Sequence, residues 1–196
     1  MKKAAVLGSA SGQNLKAIVK YFENKDVKIT AVSDIENSDF LQVAKSLNIE
    51  WKFLPYEQNF EYFSAHDFDL IALSDYRRQL KSDVLELGKF ISVHPSLLPS
   101  FKGPDAINRA FFAGVKVSGV TVHLINEDID NGKIIAQYPV LISNLTHYDE
   151  FESDIHALED LLYPIVIEKI LNNQVFDFPD LIQGNQCGGC GGCVKD

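Results

Sequence analysis

Phe90-Ile91-Ser92-Val93-His94-Pro95-Ser96-Leu97-Leu98-Pro99 is an apolar run that stops at a histidine and is then locked by two prolines. The run Phe90–Val93 reads as a buried strand, and proline at 95 and 99 restricts the loop after it. A histidine directly after a strand belongs at the strand's carboxyl end, where open α/β sheets bind their ligands. Thirty-six residues after His94 comes Asp130, in the polar turn Asp128-Ile129-Asp130-Asn131-Gly132. A carboxylate close to an imidazole favours the imidazolium, and an imidazolium is a good donor to a developing oxyanion. His94 and Asp130 therefore read together as an acid/base and oxyanion-stabilising pair, although a buried structural histidine and an ordinary turn aspartate remain open. The turn also matches part of a calcium loop, but Asn131 stands where that loop needs glycine if Asn126 is its first ligand.

Upstream of this stretch the chain alternates strands and helices. Ala4–Leu7 is a first strand, followed by the Gly/Ser turn Gly8–Asn14 and by a helix on which Leu15, Ile18, Val19 and Phe22 recur at helical spacing. Val27–Val32 and Asp69–Leu73 read as strands, Glu50–Leu54 as a short one, and Phe40–Leu47 and Ser82–Leu87 as helices. Continuous apolar strands in a βαβα order predict a parallel sheet with helices on both faces. After Pro99 the pattern changes. Asp105–Ala113 reads as a helix, and Ser118–Ile125 as a half-exposed strand pairing with Lys133–Ile142. Tyr148–Leu171 reads as a long amphipathic helix that Pro164 should kink. The predicted fold is a Rossmann-like, doubly wound α/β sheet, mostly parallel, with a mixed or antiparallel C-terminal edge and a long C-terminal helix.

The 196 residues carry a net charge of −9, which argues against a broad nucleic-acid or anionic-membrane surface. No apolar run is long enough to cross a membrane, and the run after Met1-Lys2-Lys3 is too short for a signal peptide. A cytoplasmic protein acting on small molecules is expected, as a monomer or homodimer. The expected organisation is one domain over residues 1–183 and a poorly ordered Gly/Cys-rich tail over 184–196. All three cysteines, Cys187, Cys190 and Cys193, lie in that tail. Their spacing suits a metal ligand set, but a closed zinc site needs a fourth ligand, so no metal site is assigned.

Two further strand ends carry candidates. The turn Gly8–Asn14 brings backbone close to a ligand and precedes a helix whose N-terminal N–H groups suit a phosphate or carboxylate. It lacks a P-loop lysine, and it also reads as an ordinary turn capped by Ser11. The segment Ser74-Asp75-Tyr76-Arg77-Arg78-Gln79-Leu80 either starts a solvated helix or offers Arg78 or Tyr76 to a flat heterocycle or carboxylate.

The chain resembles the formyltetrahydrofolate-dependent formyltransferases over residues 4–172, most strongly in Ser92–Gly103, in Gly119–Gln137 and in Asp154–Pro164. The resemblance implies transfer of a formyl group from 10-formyltetrahydrofolate to the amine of glycinamide ribonucleotide, a step in purine biosynthesis. It implies that His94 and Asp130 are catalytic, with Ser92 standing where the family has asparagine. It also implies that Gly12, Gln13 and Asn14 hold the substrate phosphate, and that Pro95, His156 and Glu159 contact the same substrate. Arg78, Gln79, Leu80, Asn126 and Asp128 would line the folate pocket. The phosphate and folate turns depart from the family pattern as well: Ala10-Ser11-Gly12-Gln13-Asn14 replaces Gly-Asn-Gly-Ser-Asn, and Ser74-Asp75-Tyr76-Arg77-Arg78 replaces Ala-Gly-Phe-Met-Arg. Formyl transfer to another amine, such as an amino sugar nucleotide or methionyl-tRNA, is a second reading. A folate- or nucleotide-binding relative with impaired catalysis is a third, and Ser92 is the residue that supports it.

Overall fold

A computed structural model describes residues 1–177. The three tail cysteines, and the expected boundary between residues 183 and 184, lie outside the described residues. Seven strands form one sheet in the order β3-β2-β1-β4-β5-β6-β7. They are β1 Lys2–Leu7, β2 Val27–Ser33, β3 Glu50–Phe53, β4 Leu70–Leu73, β5 Phe90–His94, β6 Val117–Leu124 and β7 Ile134–Leu141. Strands β1 to β5 are parallel, and β6 runs antiparallel to both β5 and β7. The helices are α1 Gln13–Phe22, α2 Asp39–Ser46, α3 Asn59–Ala65, α4 Ser82–Leu85, α5 Ala106–Phe112 and α6 Tyr148–Leu171.

The alternation along β1 explains the layering. Successive side chains of a strand point to opposite faces. Ala4 and Val6 join Leu15, Ile18 and Tyr163 on one face, whereas Ala5 and Leu7 join Phe63, Val84 and Phe90 on the other. Both faces are therefore covered, by α1, α2 and α6 on one side and by α3 and α4 on the other, and the central strands must be apolar throughout. Gly8 ends β1 because nothing larger fits: a Cβ there would lie 2.2 Å from the Phe40 ring.

Helix α6 runs unbroken through Pro164, although proline removes one intrahelical bond. Its first half buries one stripe, including Phe151, Ile155 and Leu158. From Leu162 to Ile167 every residue is buried, because α1 and the sheet enclose this half. The fully buried Tyr163 directs its hydroxyl at the Leu73 carbonyl, 2.8 Å away, with the Ile91 carbonyl at 3.2 Å. It pins the helix to β4 and β5.

Two expectations are corrected, and one helix was not expected. Strand β6 is buried from Ser118 to His123 rather than half-exposed, because it lies inside the sheet between β5 and β7. Its Gly119 admits the close approach of the Tyr138 carbonyl and Leu97. The unassigned aromatic segment after residue 55 forms a 3₁₀ turn at Tyr56–Gln58 and then α3. Ser11 does not cap α1: Gly12 takes the N-cap position in the left-handed region, φ 72°, with no side-chain cap.

Candidate active site

The strand order reverses between β1 and β4, since β1 leads outward to β2 and β3 while β4 leads to β5. A crevice at the carboxyl ends of strands opens at such a switch point. A cleft of about 820 Å³ occupies this position. It brings together almost every residue expected to act. Ser92, His94, Pro95 and Asp130 line it, as do Gln13, Asn14, His156 and Glu159. So do Arg78, Gln79, Leu80, Asn126 and Asp128. Gly12 is the exception. Its Cα faces α2, where a Cβ would meet the Phe40 backbone at 3.1 Å and Val43 at 3.2 Å, so Gly12 shapes the turn without lining the cleft. Ser11 lines it instead.

His94 ends β5 and is buried. Its Nε2 lies 3.0 Å from the Phe101 carbonyl oxygen, and its Nδ1 lies 3.4 Å from Asp130 Oδ2. Asp130 has φ 51° in its turn, and the same Oδ2 accepts a 2.7 Å bond from the Gly103 N–H. Its other oxygen lies 3.6 Å from His123 Nε2, an ion-pair distance too long for a hydrogen bond. His123 Nδ1 in turn donates to the Leu124 carbonyl at 2.9 Å.

Asp130 therefore sits between two imidazoles, and each imidazole has a backbone carbonyl at its far nitrogen. A neutral imidazole has one N–H, so in either tautomer one nitrogen of each ring faces an oxygen without a hydrogen between them. Burial pushes the Asp130 carboxyl up, but His123, the Gly103 N–H and His94 outweigh it and bring its pKa down to about 2. Asp130 is thus a fixed anion. For His94, burial lowers the pKa and outweighs the raising effects of Asp130 and the Phe101 carbonyl. This corrects the expectation that the carboxylate alone keeps His94 charged: in a closed pocket desolvation is the larger effect.

The loop after His94 is bound to β6 by buried polar groups. Thr121, paired opposite His94 in register, donates to the Ser96 carbonyl at 2.6 Å and accepts from the Leu98 N–H at 3.0 Å. Gln137 of β7 adds a bond to the Leu98 carbonyl at 2.8 Å. Ser92 makes only a long contact, 3.4 Å from its hydroxyl to the Val93 carbonyl.

At the β1 end of the cleft the start of α1 has no acidic residue in its first turn and no side-chain cap, which suits it to an anion. The side chains of Gln13 and Asn14 are turned to Asp160 of α6, at 3.4 and 3.3 Å, and Asn14 also accepts from Ser74 at 3.1 Å. Buried Glu159 holds His156 Nδ1 at 2.9 Å, and that bond pushes the His156 pKa up in spite of its partial burial. The charged form of His156 is thereby favoured in a corner that otherwise holds Asp75, Glu159 and Asp160.

At the β4 end, the segment from Ser74 to Leu80 is fixed by contacts its sequence does not reveal. Asp34, at the end of β2, accepts from Ser9 at 2.7 Å and pairs with Arg78 at 3.3 Å. Ser9 accepts from the Arg77 N–H at 3.1 Å. The Tyr56 hydroxyl donates to the Gln79 carbonyl at 2.6 Å, and the Gln79 amide reaches the Glu127 carbonyl across the cleft. The turn opposite is braced within itself, with the Asp128 N–H on Asn126 Oδ1 at 3.1 Å and the Asn126 amide on the Asn131 carbonyl at 3.2 Å. The two segments thus face each other across the cleft that His94 lines. Reading the sequence alone missed His123, Asp34 and Tyr56. Only the pairing register, which sets His123 opposite Ser92, could have pointed to the first.

Known proteins share the sequence pattern and the fold of this chain. A family model described as formyl transferase matches residues 2–167. The phosphoribosylglycinamide formyltransferase of Bacillus subtilis is 38% identical, with 87% of this chain and 95% of that protein covered. Among solved structures, glycinamide ribonucleotide transformylase 1 from Geobacillus kaustophilus superposes with a TM-score of 0.80 at 34% identity, covering 87% of this chain and 99% of that one. The transformylase of the same name from Symbiobacterium toebii gives 0.82 at 27% identity, covering 91% and 92%.

Proposed function

The chain belongs to the formyl transferase family, and we propose that it transfers the formyl group of 10-formyltetrahydrofolate to the amine of glycinamide ribonucleotide, in purine biosynthesis. The observation that carries this reading is the convergence in one cleft of a His–Asp pair, an anion-suited helix start and a slot between two facing segments. Each substrate has a region of matching chemistry. The ribonucleotide phosphate is held at the turn Gly12-Gln13-Asn14 and near His156, with Pro95 and Glu159 shaping the rest of that subsite. The flat folate heterocycle lies in the slot between Arg78, Gln79 and Leu80 on one side and Asn126 and Asp128 on the other.

The chemistry is acyl transfer. The substrate amine attacks the formyl carbon, and the carbonyl electron pair moves onto oxygen. His94 donates to this oxyanion. To do so it exchanges its bond to the Phe101 carbonyl, 3.0 Å away in the free protein, for one to the substrate oxygen. Asp130, an anion in the free protein, orients the His94 ring from the other side and takes the amine proton directly or through water. Collapse of the tetrahedral intermediate expels the folate nitrogen, which picks up that proton. Ser92 supplies a hydroxyl where a longer donor would reach the oxyanion. Its hydroxyl acts through water or not at all, which is the one observation that favours a catalytically impaired relative.

Purified protein supplied with 10-formyltetrahydrofolate and glycinamide ribonucleotide should deformylate the folate, followed by its absorbance. Parallel reactions with an amino sugar nucleotide and with methionyl-tRNA should be slower. If folate binds but glycinamide ribonucleotide is not formylated, or if another amine is preferred, the proposal fails.

A further inference from the structure

We infer that Arg109 on α5 is a positioning residue for the His94–Asp130 pair, acting through the backbone of residues 101–103. The inference rests on the reading of His94 as the donor to the oxyanion. Arg109 Nη2 lies 2.8 Å from the Phe101 carbonyl oxygen, 2.6 Å from that of Lys102 and 3.3 Å from that of Gly103. One nitrogen with two hydrogens thus gives two direct bonds, and the third carbonyl shares one of them. Among the described residues no carboxylate pairs with this guanidinium, so its charge is directed at backbone.

The same three residues hold both members of the pair. The Phe101 carbonyl accepts from His94 Nε2 at 3.0 Å, and the Gly103 N–H donates to Asp130 Oδ2 at 2.7 Å. The segment belongs to no helix or strand, and Phe101 and Gly103 both sit at positive φ, 55° and 80°. Such a conformation persists only where its surroundings over-determine it, and the guanidinium supplies that constraint from outside the cleft.

Arg109 has a second effect during the reaction. A carbonyl oxygen accepts two hydrogen bonds, and on Phe101 one comes from His94 and the other from Arg109. When His94 turns to the substrate oxygen, the Phe101 carbonyl keeps its bond to Arg109. Without Arg109 that carbonyl would be left unpaired, which opposes the exchange. A planar guanidinium spans adjacent carbonyls in a way that a lysine ammonium does not.

The test compares Arg109→Ala and Arg109→Lys with the wild type in the full-length protein. In ¹⁵N-histidine NMR of the substrate-free protein, the His94 Nε2–H signal should be protected in the wild type, lost to exchange in Arg109→Ala and intermediate in Arg109→Lys. With 10-formyltetrahydrofolate and glycinamide ribonucleotide, kcat of Arg109→Ala should fall about tenfold or more, and its pH profile should shift. Both KM values should stay within about twofold. A wild-type His94 signal and pH profile in Arg109→Ala would overturn the inference, even if kcat falls with thermal stability. If Arg109→Ala does not fold, Arg109→Lys decides by the same readouts, and wild-type values overturn it. If glycinamide ribonucleotide is not a substrate at all, the NMR comparison still decides the inference, while the functional reading fails separately.

Discussion

Ser92 stands in register between Leu73 of β4 and His123 of β6, two residues before His94. Its hydroxyl reaches nothing closer than a carbonyl at 3.4 Å, so the edge of the cleft beside His94 lacks a well-placed side-chain donor at this position. Replacing it by asparagine extends an amide toward the place where negative charge develops. A preorganised donor of this kind is worth about 10²–10³ in rate. Ser92→Asn should therefore raise kcat, by up to about 10²-fold, with little change in the folate KM. Steady-state kinetics at saturating glycinamide ribonucleotide checks this, and an unchanged or lower kcat in a folded variant would mean the oxyanion is served from elsewhere. His94 and Asp130 were legible in the sequence because a strand end and a turn mark their places. His123 and Arg109 were not. The first acquires its partner only when β6 pairs with β5 antiparallel, and the second acts on backbone groups, which leave no trace in residue type.

Among the elements, the loop from His94 to Phe101 and strand β6 behave as one unit. Thr121 is fully buried, and its hydroxyl serves the Ser96 carbonyl, the Leu98 N–H and the Gln137 amide together. Thr121→Val keeps the shape and removes all three bonds. It should cost about 1–3 kcal/mol for each buried group left unpaired. Urea unfolding should show this as a lower midpoint at constant m-value. A loss below about 0.5 kcal/mol would show that the loop is held by packing alone. The strands and long helices were legible because their apolar periods are strong: β1, β5 and α6 fall within a residue or two of where their patterns place them. The 3₁₀ turn and α3 were not, since the spaced aromatics Phe60 and Phe63 do not share a buried face, Phe60 being exposed and Phe63 buried, and no side chain caps that helix. The burial of β6 was misread because its sequence alternates while its place inside the sheet does not depend on that alternation.

The whole molecule is a sheet covered on both faces with one open edge of the crevice, and that edge gathers the residues on which the chemistry depends. The carboxyl ends of β1, β4 and β5 lead into the turn before α1, the segment Ser74 to Leu80 and His94, while the antiparallel excursion through β6 brings Asp130 back across them. The net charge of −9 leaves local donors, rather than a basic surface, to bind an anionic substrate. Among the described residues no helix is long and apolar enough to cross a membrane. The mostly parallel sheet and its antiparallel C-terminal edge followed from the βαβα pattern and its change after Pro99, but the meeting of Asp130 with His94 over thirty-six residues needed the register of three strands. If this meeting drives formyl transfer, kcat for formylation of glycinamide ribonucleotide by wild-type protein and by Asp130→Asn will show it. Turnover by the wild type is expected, with a loss of about 10²–10⁴-fold in the variant and folate binding retained. Equal rates in the two proteins, or no transfer by a wild type that binds folate, would contradict it.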